Sequence, residues 1–265
     1  AQAINLKPGA ASSSYFAMPA ICFGLVFTWL SWAFQKPFAA GSKDALLLGD
    51  SWAAYAGTSL KDHCAGLAVV VNRGLAGTTA ADWASNLDCA TAPQSFCCQH
   101  AGEASCSVSQ AVGLLPSDGS RVAWVSLGGN DYILSHCSTD NASLDKLQQD
   151  IEKVIRDLQW LAPKLHVVVT GYAAPSGPLY WTTGCDSPEA LHPLNEVVRR
   201  AAIAQNVTFV NVSRIAGGSS TVHSQPEFYK DPIHLNSRGY CKLWTDPVLQ
   251  EAMGCSAPAL RGASC

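Results

Sequence analysis

From residue 45 onward five short, largely apolar stretches read as strands: Ala45–Leu48, Leu67–Val71, Arg121–Leu127, His166–Thr170 and Val207–Val210. Most are unbroken rather than alternating, as expected of parallel strands covered on both faces. Between them the period changes. In Ser143–Leu161 the apolar positions Leu144, Leu147, Ile151, Val154, Ile155 and Leu158 recur at three and four, with Ser143 as the expected N-cap and Pro163 beyond the end. Pro188–Gln205 and Ser237–Met253 read as two further helices. This alternation predicts an α/β chain folded as a three-layer α/β/α sandwich around a mostly parallel five-stranded sheet, with ligands bound beyond the carboxyl ends of the strands. Two stretches break the pattern. Residues 88–119, with Cys89, Cys97, Cys98 and Cys106, read as a disulfide-stapled excursion; residues 171–187, with Tyr172, Tyr180 and Trp181, read as a long loop.

The segment Tyr15–Phe34 is different in kind: twenty positions without a charged residue. That is long enough to span a bilayer and longer than the usual h-region of a signal peptide. An uncleaved signal-anchor is favoured over a long signal peptide cut near Ala39-Ala40-Gly41, and a buried core helix is the weaker alternative. Residues 1–43 are thus expected to be a tail with linker, and 44–265 one catalytic domain.

Cysteine usage extends that expectation. Apart from Cys22 in the apolar segment, ten cysteines remain, enough for five disulfides of unspecified pairing. Asn141, Asn206 and Asn211 head Asn-x-Ser/Thr sequons. Together they point to the secretory pathway, with everything after the apolar segment luminal or extracellular and membrane attachment through that segment if it is uncleaved. A net charge of −3 without a basic cluster gives no footprint for nucleic acid. Cys97-Cys98-x-His100 lacks paired Cys-x-x-Cys spacing, so no metal is expected.

The candidate chemistry sits at the strand ends. Ser51 follows the run Ala45–Leu48, where a strand gives way to a helix. Far downstream stands Asp231-Pro232-Ile233-His234, in which one short loop supplies both a base and the carboxylate that orients it. Between them, directly after Arg121–Leu127, lies Gly128-Gly129-Asn130-Asp131; an Asn amide there can donate to a developing oxyanion. Ser51 as nucleophile, His234 as base and Asp231 as orienter point to acyl transfer. Helix capping by Ser51 and an ordinary turn Asp at 231 are the plain alternatives. The other histidines, 63, 100, 136, 166, 192 and 223, are assigned to surface or packing, and Asp50 and Asp131 to holding their loops.

Gly49-Asp50-Ser51, Gly128-Gly129-Asn130-Asp131 and Asp231-x-x-His234 resemble the first, third and fifth blocks of the SGNH, or GDSL-type, hydrolase superfamily, and Val71-Asn72 followed by Gly77 resembles its second. The likeness runs from about Asp44 to Met253. It implies a flavodoxin-like sheet and an oxyanion hole made of the Ser51 N–H, the Gly77 N–H and the Asn130 amide, with Gly74 as the fallback for Gly77. Leu235, where many relatives carry Pro, and the Cys-rich stretch depart from the pattern. The implied activity is hydrolysis of a carboxylic ester of a lipid, an acylated sugar or a small alcohol, with no cofactor; Tyr172, Tyr180 and Trp181 are candidate substrate contacts. A luminal O-acyltransferase acting on glycans with the same triad is the first alternative, although Asn130 favours a hydrolase. A non-catalytic binding protein on the same scaffold is the second.

Overall fold

The computed structural model of the chain describes residues 43–87, 96–100, 105–116, 120–179, 184–219, 221–255 and 265. The apolar segment 15–34, the candidate cleavage site, Cys89, Tyr180 and Trp181 lie outside them. Among the described residues no helix is long and apolar enough to cross a membrane.

The strands are β1 (Lys43–Gly49), β2 (Leu67–Gly74), β3 (Ser120–Ser126), β4 (Leu165–Thr170) and β5 (Thr208–Val210). They pair in parallel in the order β2-β1-β3-β4-β5. The helices are α1 (Ser51–His63), α2 (Ala80–Ala84), α3 (Phe96–His100), α4 (Val108–Gly113), α5 (Gly129–Leu134), α6 (Asn141–Leu161), α7 (His192–Ala204), α8 (Ser237–Trp244) and α9 (Pro247–Met253). Contacts divide the main helices into two layers, with α1, α8 and α9 over one face of the sheet and α2, α6 and α7 over the other. The central strands are apolar because both faces are covered: Leu46, Leu47, Leu48, Trp124 and Val125 in β1 and β3 are fully buried. At the edge the rule relaxes. In β2 only Leu67 is buried, and Val69 is exposed.

This strand order reverses between β1 and β3. Connections from β1 run one way to β2 and those from β3 run the other way to β4 and β5, opening a crevice at the carboxyl ends of β1 and β3. Ser51 follows β1 and Asn130 follows β3, so both candidate groups stand at that switch point.

Three helix boundaries differ from expectation. Helix α6 begins at Asn141 because Asp140, not Ser143, caps it; the Asp140 carboxylate accepts the Ser143 N–H at 2.9 Å. Helix α7 starts at His192 rather than Pro188, with Pro193 in its first turn, where a missing N–H costs nothing. The expected helix Ser237–Met253 is two. Pro247 cannot continue α8, since its ring lacks the N–H and clashes with the preceding turn. Asp246 instead caps α9 by accepting the Leu249 N–H at 2.9 Å.

Four disulfides hold the described residues: Cys64–Cys255, Cys97–Cys106, Cys137–Cys185 and Cys241–Cys265. Cys97–Cys106 joins the short α3 to the approach to α4, within the stretch expected to be stapled.

Candidate active site

Ser51 is the first residue of α1, and the Asp50 carboxylate, not the serine hydroxyl, caps that helix by accepting the Trp52 N–H at 2.9 Å. The Ser51 side chain is therefore left for other work. Gly49 makes the sharp exit from β1 possible. Its φ is +144°, and a Cβ there would lie 1.9 Å from the Ser126 carbonyl oxygen. That oxygen accepts the Asp50 N–H at 3.0 Å, so the end of β3 fixes the strand-to-helix turn.

The structure brings Ser51, His234 and Asp231 together across 183 residues of sequence: His234 Nε2 lies 2.9 Å from Ser51 Oγ. On the other side of the ring, His234 Nδ1 lies 2.7 Å from Asp231 Oδ2. The second carboxylate oxygen, Oδ1, accepts the backbone N–H groups of Ile233 at 3.1 Å and His234 at 2.8 Å. Burial is the largest single influence on Asp231 and raises its pKa, but these hydrogen bonds together outweigh it and hold the carboxyl below its ordinary value. An ionised Asp231 fixes the tautomer that presents an unprotonated Nε2 to Ser51.

The loop carrying this pair is clamped from several sides. Trp52 Nε1 donates to the Ile233 carbonyl at 3.1 Å, and the Ser176 N–H donates to the Pro232 carbonyl at 2.9 Å. Tyr229 and Leu235 close the loop as an antiparallel bridge, which gives the buried Leu235 a packing role. Tyr55 stands edge-on to the His234 ring at 5.4 Å, and Lys230 Nζ sits 3.2 Å from the centre of the Tyr55 ring. Neither Trp52 nor Tyr55 belongs to a sequence block, although each lies within one helical turn of Ser51.

Asn130, in the first turn of α5, donates through Nδ2 to the Thr78 carbonyl at 2.7 Å. One amide hydrogen is used there and one remains for a ligand. Asp131 accepts the Ala80 N–H at 2.8 Å. These two bonds tie α5 to the turn 75–79 and to the first residue of α2; in that turn Gly77 has φ +86°, a left-handed conformation that favours glycine. Neither the Ser51 N–H nor the Gly77 N–H donates to a group among the described residues. Gly74, the fallback, is otherwise engaged: it ends β2 opposite Gly49, and a Cβ there would lie 2.1 Å from the Ala54 nitrogen.

Tyr172 is buried, and its ring packs edge-on to Trp52 at 5.2 Å. Its hydroxyl donates to Asp50 Oδ2 and accepts the Gly129 N–H at 2.9 Å, while Asn195 holds its backbone at both N–H and C=O. The residue forms a wall of the recess beside Ser51, with its polar end already committed.

Burial pushes the Asp50 carboxyl up to about 7. Between its ordinary 3.8 and about 7 the folded protein keeps a proton that the unfolded chain has released. Stability from this group is therefore complete below about pH 4 and declines as pH rises to 7, by about 4 kcal/mol. Asp50→Asn should flatten that decline, read as the difference in denaturant midpoint between pH 5 and pH 8.

A family model described as GDSL-like Lipase/Acylhydrolase family matches residues 38–241, and the chain belongs to that family. It is a carboxylic ester hydrolase by class. Among solved structures, a GDSL-like lipase from Bacteroides thetaiotaomicron matches with a TM-score of 0.53 at 16% identity, covering 83% of this chain and 92% of that one. A protein from Lactobacillus plantarum matches with a TM-score of 0.51 at 16% identity, over 77% and 93%. At that identity the likeness is one of fold. No curated protein matches the chain significantly.

Proposed function

We propose that the chain hydrolyses carboxylic esters through an acyl-enzyme on Ser51. The observation that carries this is the unbroken line Ser51 Oγ, His234 Nε2, His234 Nδ1, Asp231 Oδ2, with spacings of 2.9 and 2.7 Å across its two hydrogen bonds. His234 takes the Ser51 proton as Oγ attacks the ester carbonyl carbon, and Asp231 stabilises the imidazolium. The tetrahedral oxyanion is met by the free N–H groups of Ser51 and Gly77 and the spare amide hydrogen of Asn130. Collapse expels the alcohol, which leaves with the proton from His234. Water then gives a proton to the same imidazole, attacks the acyl carbon and releases the acid, and the proton returns to Ser51. No cofactor takes part in any of these steps.

The same reading assigns the enzyme to an oxidising compartment of the secretory pathway, supported by the four disulfides among the described residues.

The test is hydrolysis of p-nitrophenyl acetate, butyrate and octanoate by the chain produced under oxidising conditions, beside Asn130→Ala. Turnover by the parent and a loss of about 10²–10³ in kcat, with KM little changed, is the expected pair of results. A well-folded parent that releases no acid to water, but transfers acetyl to an added sugar, would replace hydrolysis with acyl transfer.

A further inference from the structure

Two hollows of opposite character meet at Leu191. The first, beside Ser51, is walled by Trp52, Ile133, Leu191, Leu194 and Ile233 and has a volume of about 10 Å³, the space of about one water molecule. The second has a volume of about 430 Å³, within the range of sites that hold small molecules. It opens at the same end of the sheet, between the loops that follow β4 and β5 and the approach to α7. Leu191 lines both, and Asn195 of the larger hollow grips Tyr172 of the smaller. The wall at Ala174 is also tied to the Asp231–His234 loop, since the Ala174 carbonyl accepts the Tyr229 hydroxyl at 2.6 Å.

Several polar side chains that line the larger cleft have no hydrogen-bond partner among the described residues. Glu189, His192 and Arg214 face it and make no side-chain hydrogen bond or ion pair with any described residue. The Asn211 Oδ1 accepts the Ser213 N–H at 3.0 Å, leaving its amide hydrogens for a ligand. Donors and acceptors of both signs, interspersed around one cleft, suit a molecule that carries many hydroxyl groups. They do not suit an alkyl chain, which would leave each of them desolvated and unpaired.

The geometry points to the 430 Å³ cleft as the site of the alcohol half of the substrate, and to that half being a saccharide whose acyl group is no larger than acetyl. This rests on the ester-hydrolase reading of Ser51. The ester carbonyl sits between the hollows, its methyl in the recess and its sugar oxygen toward Leu191. Arg214, His192 and Glu189 then hold the sugar hydroxyls and set specificity without touching the reacting atoms.

The test compares Arg214→Ala, His192→Ala and the parent on an O-acetylated cello-oligosaccharide and on p-nitrophenyl acetate. Each variant should raise KM for the sugar ester by at least about tenfold, the scale of a lost hydrogen bond to a charged group, with p-nitrophenyl acetate unchanged. A parent that prefers octanoate to acetate, or variants that treat both substrates alike, would overturn the proposal while leaving the esterase intact. Calorimetric binding of the deacetylated oligosaccharide to Ser51→Ala reads the cleft without catalysis. Saturable binding weakened by adding Arg214→Ala is expected, and no binding would also overturn the proposal. If no ester is turned over at all, the nucleophile assignment fails and this binding arm still decides the cleft.

Discussion

Ser51→Ala should lower kcat by about 10⁶-fold while leaving the fold unchanged. The hydroxyl makes its hydrogen bond to His234 and caps nothing, since Asp50 holds the first turn of α1. Removing it deletes the attacking atom without disturbing the helix that carries it. What survives is whatever oxyanion stabilisation and binding give to attack by water, roughly 10³–10⁴ over the uncatalysed reaction. His234→Ala should cost nearly as much, and the double variant little more than either, because the residues act as one unit. The check is steady-state kinetics on p-nitrophenyl acetate, with circular dichroism confirming the fold. Independent, multiplying losses in the double variant would mean that the two residues do not share a step.

Replacing Cys64 and Cys255 with Ser should destabilise the protein by about 5 kcal/mol, the largest stability change expected of any disulfide described. The bond spans 191 residues, so cutting it returns the most chain entropy to the unfolded state. It also fastens Cys64, directly after α1, to Cys255, two residues beyond the end of α9. Nearby, Gln250 Nε2 donates to the His63 carbonyl at 3.1 Å, a bond too weak to hold the junction alone. Denaturant unfolding at neutral pH measures the effect. Cys97→Ser with Cys106→Ser is the contrast, since that bond spans only 9 residues. Equal losses from the two pairs would rule out chain entropy as the cause.

Much of the site was legible in the sequence because its parts are local. Ser51 and Asn130 each stand just beyond a largely apolar run, and Asp231 and His234 are three residues apart, so each block announces its own geometry. The sheet was legible for the same reason: unbroken apolar runs occur where strands are covered on both faces. What escaped is what depends on pairs distant in sequence. Tyr172 read as a candidate substrate contact and lines the recess beside Ser51, but its hydroxyl bond to Asp50, 122 residues away, has no local pattern to encode it. His192 read as a surface residue, and it is exposed, but it faces a cleft assembled from three separate loops. The break between α8 and α9 was written in Pro247, and the strong apolar periodicity of Ser237–Met253 masked it.

Everything proposed for this site turns on Ser51 being the nucleophile and His234 the base that activates it. The most direct measurement is covalent labelling with a fluorophosphonate, followed by peptide mass mapping of the modified residue. One phosphonyl group per chain, carried on Ser51, is the expected result, with labelling slowed by several orders of magnitude in His234→Ala. A label on any other residue, or a rate indifferent to His234, would contradict it.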